Sequence, residues 1–200
     1  IRRILLSPLP DHTYQKVESL LVPVFNYTLS AEGCDYIEEG LGCLNLILYN
    51  QQSISPALWF YYPLMIYILV GLPCKENVTQ LCLSKGLSEE QTRCLEDCSE
   101  AWGTDHLEMM LGCLKNYVQK GGPAFFQNTD LFGQTFYALL DQAVQRIYSI
   151  GGNSESDYDM LVATTLYIAV LENYPAGQLD PIVPNIISVA YQQGILAPKT

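Results

Sequence analysis

Four side chains that could hold a metal ion lie in the middle third of the chain. Cys82, Cys94, Cys98 and His106 combine a Cys-x3-Cys pair with two further soft ligands, and thiolates and imidazoles are the groups that bind structural zinc. The pattern lacks the paired two-residue spacings of a zinc ribbon. On a predicted helix, Cys94 and Cys98 also fall four residues apart on one face, which suits a packing seam. A metal site, a disulfide and ordinary packing remain open; we favour packing and expect no metal.

The cysteines indicate which compartment the protein occupies. There are 7 of them, an odd number, and Cys34, Cys43 and Cys113 fall within apolar helical patterns. Buried free thiols of this kind are typical of a reducing compartment. Two sequons, Asn26-Tyr27-Thr28 and Asn77-Val78-Thr79, would suit a secreted protein, but the first lies in a helix that we expect to be packed.

Catalysis is not indicated by the remaining polar residues. A nucleophile needs a neighbouring base, and only His12 and His106 are available, both at predicted helix entries. Asp157-Tyr158-Asp159 resembles a metal-binding aspartate pair, but it opens a predicted helix, where carboxylates favour the helix dipole. The paired glycines at 121–122 and 151–152 lack the lysine and hydroxyl residue of a phosphate loop. We therefore expect no enzyme activity, no catalytic residue and no cofactor.

Composition limits the class of partner. The chain has 200 residues, of which 49% are hydrophobic, so it can bury a sizeable core. Its net charge of -11 leaves no basic stripe for phosphate contacts, and direct nucleic-acid binding is disfavoured. A basic protein partner is favoured instead.

Apolar residues recur at helical spacing along most of the chain, and strand alternation is not sustained anywhere. Ser55-Pro56 and Gly71 are a start and a stop signal, and Ser88 with Gln91 forms a capping box. These signals predict an all-α protein. The predicted helices span residues 13–29, 34–49, 55–71, 88–101, 106–119, 130–150, 156–173 and 180–193.

The third of these helices is long enough to raise the question of a membrane span. Residues 54–72 carry no charge, but Pro63 lies at their centre and no cluster of Lys or Arg flanks them. A helix covered by neighbours on more than one side has the same apolarity. We therefore predict a buried helix and no membrane span.

Three prolines suggest an internal repeat. Pro23, Pro63 and Pro184 each lie inside a short apolar segment, at intervals of 40 and 121 residues. A period of about 40 residues is that of HEAT and armadillo arrays, which are mostly binding surfaces. The pattern predicts a helical-hairpin array in which the prolines occupy the same helix position.

The order of several longer segments resembles the importin-β superfamily, and within it the carboxyl-terminal HEAT region of the importin-seven and importin-eight branch. The likeness is carried by residues 36–49, by the segment from Gln51 to Val70, by residues 105–118 and by the final 45 residues. Residues 72–103 depart from it and look like an insertion. The resemblance implies one HEAT-repeat α-α superhelix over residues 1–200.

The resemblance also implies a function. Members of the family are nuclear transport receptors that shuttle between cytoplasm and nucleus and bind cargo proteins. Through the full-length protein they also bind the GTPase Ran and phenylalanine-glycine nucleoporins. We expect a fragment of such a receptor here, since the chain starts at Ile1 and about 700 to 900 further residues of repeats would precede it. The alternatives are a non-transport HEAT scaffold, and a secreted or membrane-associated protein with disulfides among the cysteines of residues 74–98.

Overall fold

The computed structural model describes residues 11–74, 76–151 and 157–194, which form eleven α-helices. The β structure in this part of the chain is limited to one isolated bridge. The prediction of an all-α protein is thereby confirmed. The helices are α1 (Asp11–Thr28), α2 (Ile37–Asn50), α3 (Tyr61–Val70), α4 (Val78–Ser84), α5 (Glu89–Asp97), α6 (Leu107–Lys120), α7 (Ala124–Gln127), α8 (Phe136–Gly151), α9 (Asp157–Asn173), α10 (Ala176–Leu179) and α11 (Val183–Gly194).

The longer helices form two rows. In one row α6 packs between α2 and α9, and in the other α8 packs between α3 and α11. The rows are joined by the contacts of α3 with α6 and of α8 with α9, and α1 packs against α2. One continuous apolar core lies between them and contains Leu44, Met65, Leu114, Leu140 and Leu166.

Helices α2 and α6 are copies of one unit that pack side by side and in the same direction. Each has 14 residues and follows a three-residue 3-10 turn, at Cys34–Tyr36 and Thr104–His106. Seven of the twelve residues 33–44 are identical to residues 103–114. The internal repeat of this chain is therefore visible at an offset of 70 residues.

The contacts between α2 and α6 keep that register over three turns. The Cys113 thiol donates to the Leu41 carbonyl at 3.4 Å, and the Asn116 amide donates to Asn45 Oδ1 at 2.7 Å. At the far end, the Lys120 ammonium donates to the Gln51 carbonyl at 2.6 Å and to that of Tyr49. A cation at this place also satisfies carbonyls that the end of α2 leaves without a helical partner.

The prolines do not occupy equivalent positions, so that prediction is wrong. Pro23 lies in the interior of α1, whereas Pro63 and Pro184 lie in the first turns of α3 and α11. A proline in a first turn removes no helical hydrogen bond, because the first N–H groups of a helix have no partner within it. The spacing of the three prolines therefore does not mark one recurring helix position.

The third predicted helix is shorter than expected. Residues 58–60 form a 3-10 turn, and the α-helix runs only from Tyr61 to Val70 before Gly71 ends it at φ +82°. Ser55 is not the N-cap, because its hydroxyl donates to the buried Glu18 carboxylate at 2.5 Å. Among the described residues, no helix has the length and apolarity needed to cross a membrane.

Residues 72–103 connect α3 to α6 and contain α4 and α5. The predicted capping box at the start of α5 is confirmed, with Ser88 Oγ accepting from the Gln91 N–H and the Gln91 side chain accepting from the Ser88 N–H. The segment is packed into the main core through Cys82 and Leu95. Its sequence departs from the neighbouring repeats, but it shares their core.

Candidate binding sites

Three of the four cysteines of residues 74–98, Cys82, Cys94 and Cys98, are buried in the core, whereas Cys74 is exposed. All seven cysteines of the chain are free, and no group of described residues could hold a metal ion. Cys94 donates its thiol to the Asn26 carbonyl at 2.9 Å, and Cys98 donates to the Cys94 carbonyl at 3.2 Å. His106 lies apart from them, with its Nδ1 at 3.8 Å from the Glu38 carboxylate. The structure thus favours the packing interpretation over the disulfide and the metal site.

Thiol labelling of the native protein should distinguish the exposed cysteine from the buried ones by their reaction rates. Burial raises the pKa of the Cys94 thiol to about 12, and it raises the pKa of Cys98 and Cys113 as well, whereas Cys74 is exposed. Because the thiolate is the reactive form, we expect Cys74 to react with a disulfide reagent at least about a hundredfold faster than these three. Mass spectrometry of the labelled peptides provides the measurement, and all seven should react in denaturant. Equal labelling of Cys74 and Cys98 would contradict the packing.

Several other residues singled out in the sequence lie where the structure does not describe side chains. His12 and the Asp157-Tyr158-Asp159 segment lie in α1 and α9, and their side chains fall outside the described residues. Ser156, the predicted N-cap of α9, also lies outside them. Asn26 of the first sequon is buried and accepts a hydrogen bond from the Tyr61 hydroxyl at 2.8 Å, whereas Asn77 is exposed.

An aromatic cluster connects both helix rows and forms the floor of a cavity. The ring centroid of Trp59 lies 5.1 Å from that of Phe136 and 5.4 Å from that of Tyr117. Tyr62 lies between them, fully buried, and its hydroxyl donates to the Phe136 carbonyl at 2.8 Å. The cluster fixes α3 against α6 and α8, so the cavity has rigid walls.

The cavity has a volume of about 560 Å³ and is largely apolar. Its walls come from three parts of the chain that are distant in sequence: the start of α3, the α4–α5 connection and the segment before α8. Such a hydrophobic recess with few polar groups is the usual form of a binding site. It is lined by Trp59, Phe60, Pro63, Tyr67, Lys85, Leu87, Leu95, residues 127–131 and Phe136.

Asp130 organises the wall of the cavity that precedes α8. Its Oδ1 accepts from the N–H groups of Phe132 at 3.0 Å and Gln134 at 2.6 Å, and its Oδ2 accepts from the Tyr67 hydroxyl. Burial raises the pKa of the Asp130 carboxyl, and the backbone donors oppose that shift. The side chain therefore stabilises a turn, and the predicted helix over 130–150 begins only at Phe136.

A second feature is an acidic edge, which we define as Glu32, Asp35, Glu38, Glu39, Asp105 and Glu108. All six are exposed, and they surround the starts of α2 and α6, which the His106 contact with Glu38 brings together. The cation beside them is Arg93, at 3.7 Å from Glu32. Carboxylates at helix starts stabilise the helices, and six together also create a negative potential that attracts cations.

Neither the cavity nor the 70-residue repeat is among the features predicted from the sequence. The repeat was detectable in the sequence, because Gly-x-Asp-x-x-Glu-x-x-Leu-Gly-Cys-Leu occurs at both 33–44 and 103–114. The cavity was not, because its walls meet only in the folded chain. Comparison with protein-family models, with curated proteins and with solved structures finds no match for this chain.

Proposed function

We propose that the chain is a HEAT-type solenoid segment of an importin-type nuclear transport receptor, which shuttles between cytoplasm and nucleus with a protein cargo. The observation that supports this proposal is the parallel, in-register packing of α2 on α6, two copies of one sequence unit. Stacked copies with a common register are the construction principle of helical solenoids, and their extended surfaces bind proteins. The order of the family-like segments in the sequence supports the same proposal.

The acidic edge is the surface that we assign to cargo. Its six carboxylates are exposed, and Arg93 forms an ion pair with one of them, Glu32. The whole chain carries a net charge of -11. A basic protein such as a histone would gain favourable encounter electrostatics there. In this proposal Ran and the phenylalanine-glycine nucleoporins bind through the full-length receptor.

Neutralising the acidic edge tests the cargo surface. We expect the combined variant Asp35→Asn, Glu39→Gln, Asp105→Asn and Glu108→Gln to weaken binding to a histone about tenfold at low salt, because the loss of four charges removes long-range attraction. Fluorescence anisotropy with labelled histone at several salt concentrations measures the affinity.

The matched control removes the same charge elsewhere on the surface. The variant Glu76→Gln, Glu89→Gln, Glu172→Gln and Asp180→Asn changes four other exposed carboxylates. We expect its affinity to stay within about twofold of the unmodified chain. If both variants weaken binding equally, net charge is responsible and the acidic edge is not the cargo surface.

A non-transport HEAT scaffold is the alternative function. A pull-down of the full-length protein with Ran separates the two functions. A transport receptor should retain Ran in its GTP-bound form and much less in its GDP-bound form. Retention that does not depend on the nucleotide would reject the receptor and leave the scaffold.

A further inference from the structure

The cavity wall before α8 includes an isolated β-bridge whose outer side, which we call the strand edge at Thr129, carries unused backbone groups. Thr129 and Thr135 form an antiparallel bridge, flanked by the hydrogen bonds from Asp130 N–H to the Gln134 carbonyl at 2.9 Å and from Phe136 N–H to the Asn128 carbonyl at 3.3 Å. With bonds at these flanking positions, Thr129 and Thr135 are a non-hydrogen-bonded pair. Thr129 therefore directs its own N–H and C=O away from Thr135.

These two groups of Thr129 are available to a partner. Thr129 is exposed, and its N–H and C=O have no hydrogen-bond partner among the residues that the structure describes. Asn128 has the extended backbone of a strand, with φ -75° and ψ 147°. An exposed edge of this kind is a template for pairing with another extended chain.

The cavity lies beside this edge and suits one large apolar side chain. Thr129 is itself a lining residue, and the rings of Trp59, Phe60 and Phe136 line the same cavity. Aromatic side chains gain both from the area that they bury and from edge or stacked contacts with other rings. An edge that supplies backbone bonds beside a pocket that supplies specificity is the arrangement used when a peptide adds a strand to a protein.

The charges at the cavity favour a carboxylate on the incoming chain. Lys85 and Asp130 are the charged lining residues. The Asp130 carboxylate already accepts hydrogen bonds from the Tyr67 hydroxyl and from two backbone N–H groups. Lys85 is exposed and forms no ion pair within residues 11–74, 76–151 and 157–194.

We propose that an extended peptide segment of another protein pairs with the strand edge at Thr129, inserts one aromatic side chain into the cavity and places a neighbouring carboxylate near Lys85. This site is independent of the proposed transport function, since it uses neither the acidic edge nor Ran. The occupant is a peptide and not a small molecule, because the edge offers one donor and one acceptor spaced for a backbone.

The test uses a short synthetic peptide as the probe. The peptide has β-branched residues, which favour strands, around one phenylalanine and one aspartate, with blocked termini. Calorimetry gives its dissociation constant for the unmodified chain. Emission from Trp59, in a Trp102→Phe background, reports whether the phenylalanine enters the cavity. Replacing that phenylalanine with alanine should abolish the emission change.

Two variants at one position isolate the backbone contact. Thr129→Pro removes the outward N–H, breaks no internal hydrogen bond and follows a residue whose ψ of 147° is compatible with a proline. Thr129→Val keeps the N–H. We expect Thr129→Pro to weaken peptide binding about tenfold and Thr129→Val to change it less than about twofold.

A second set of measurements changes the peptide instead of the protein. N-methylation of the peptide amide that pairs with the Thr129 carbonyl should weaken binding about tenfold. Replacing the aspartate of the peptide with lysine should weaken binding to the unmodified chain but not to Lys85→Ala. No binding up to about 1 mM, a range that covers weak peptide sites, would overturn the proposal. Equal binding by the N-methylated and the unmodified peptide would overturn it as well.

Discussion

A Gly33→Ala variant is expected to lose about 3 kcal/mol of unfolding free energy, the upper range for an overpacked position. A Cβ atom at residue 33 would lie 2.0 Å from the carbonyl oxygen of Tyr27 and 2.7 Å from its carbonyl carbon. These are backbone atoms, and the oxygen is held by the Ser30 N–H at 3.2 Å and the Ser30 hydroxyl at 2.7 Å. The methyl group can be accommodated only by moving the end of α1 away from α2.

Two other glycines supply a graded control in the same urea-denaturation experiment. A Cβ at Gly103, the repeat counterpart of Gly33, would lie 2.2 Å from Ile68 Cγ2, a side-chain atom, whereas the nearest atoms at Gly33 belong to the backbone. A Cβ at Gly177 would contact nothing within 4 Å. We expect the loss to be largest for Gly33→Ala, smaller for Gly103→Ala and near zero for Gly177→Ala. A Gly33→Ala variant as stable as the Gly177→Ala variant would contradict the close contact.

Helical spacing and capping signals predicted most helices because both are local. The box of Ser88 and Gln91 and the stop at Gly71 depend on residues within one turn, and both are present in the structure. Predictions failed where a distant side chain determined the local backbone. Ser55 does not cap a helix as predicted, because its hydroxyl donates to the carboxylate of Glu18, 37 residues earlier.

The repeat and the cavity show two different limits of sequence analysis. The spacing of three prolines suggested a period of 40, but residues 72–103 separate the units, and the copies occur 70 residues apart. The cavity depends on three segments that meet only after folding. Local patterns could therefore predict the helices, whereas the site required the packing of α3, α5 and α8.

Alkaline pH is expected to unfold the protein cooperatively, because buried tyrosines and a buried cysteine are held protonated in the fold. Tyr62 and Tyr117 are fully buried, and burial raises the pKa of both well above the ordinary 10.0; it likewise raises the pKa of Cys113 above 9.0. At neutral pH all three groups are protonated in both states. Above these ordinary values the unfolded chain releases protons that the folded chain retains, so stability falls as the pH rises.

The expected loss is large because the three groups add. Each costs about 1.4 kcal/mol per pH unit above its unfolded pKa, which gives about 5 kcal/mol by pH 11. That loss is comparable to the whole stability of many domains. The part of the tyrosinate absorbance at 295 nm that comes from Tyr62 and Tyr117 should therefore appear together with the change in circular dichroism at 222 nm, because these two tyrosines ionise only when the helices unfold.

Single tyrosine replacements show whether the buried hydroxyls are responsible. Tyr62→Phe removes one titrating group at the cost of its hydrogen bond to the Phe136 carbonyl, about 1 kcal/mol at neutral pH. Its stability should then fall less steeply between pH 10 and 11, by about 1.4 kcal/mol per pH unit. Tyr49→Phe, at an exposed position, changes no buried hydroxyl and should leave the slope unchanged. Tyrosinate absorbance that reaches its full value while the helical signal persists would mean that Tyr62 and Tyr117 are open to solvent, and the aromatic cluster could not then hold α3 against α6 and α8.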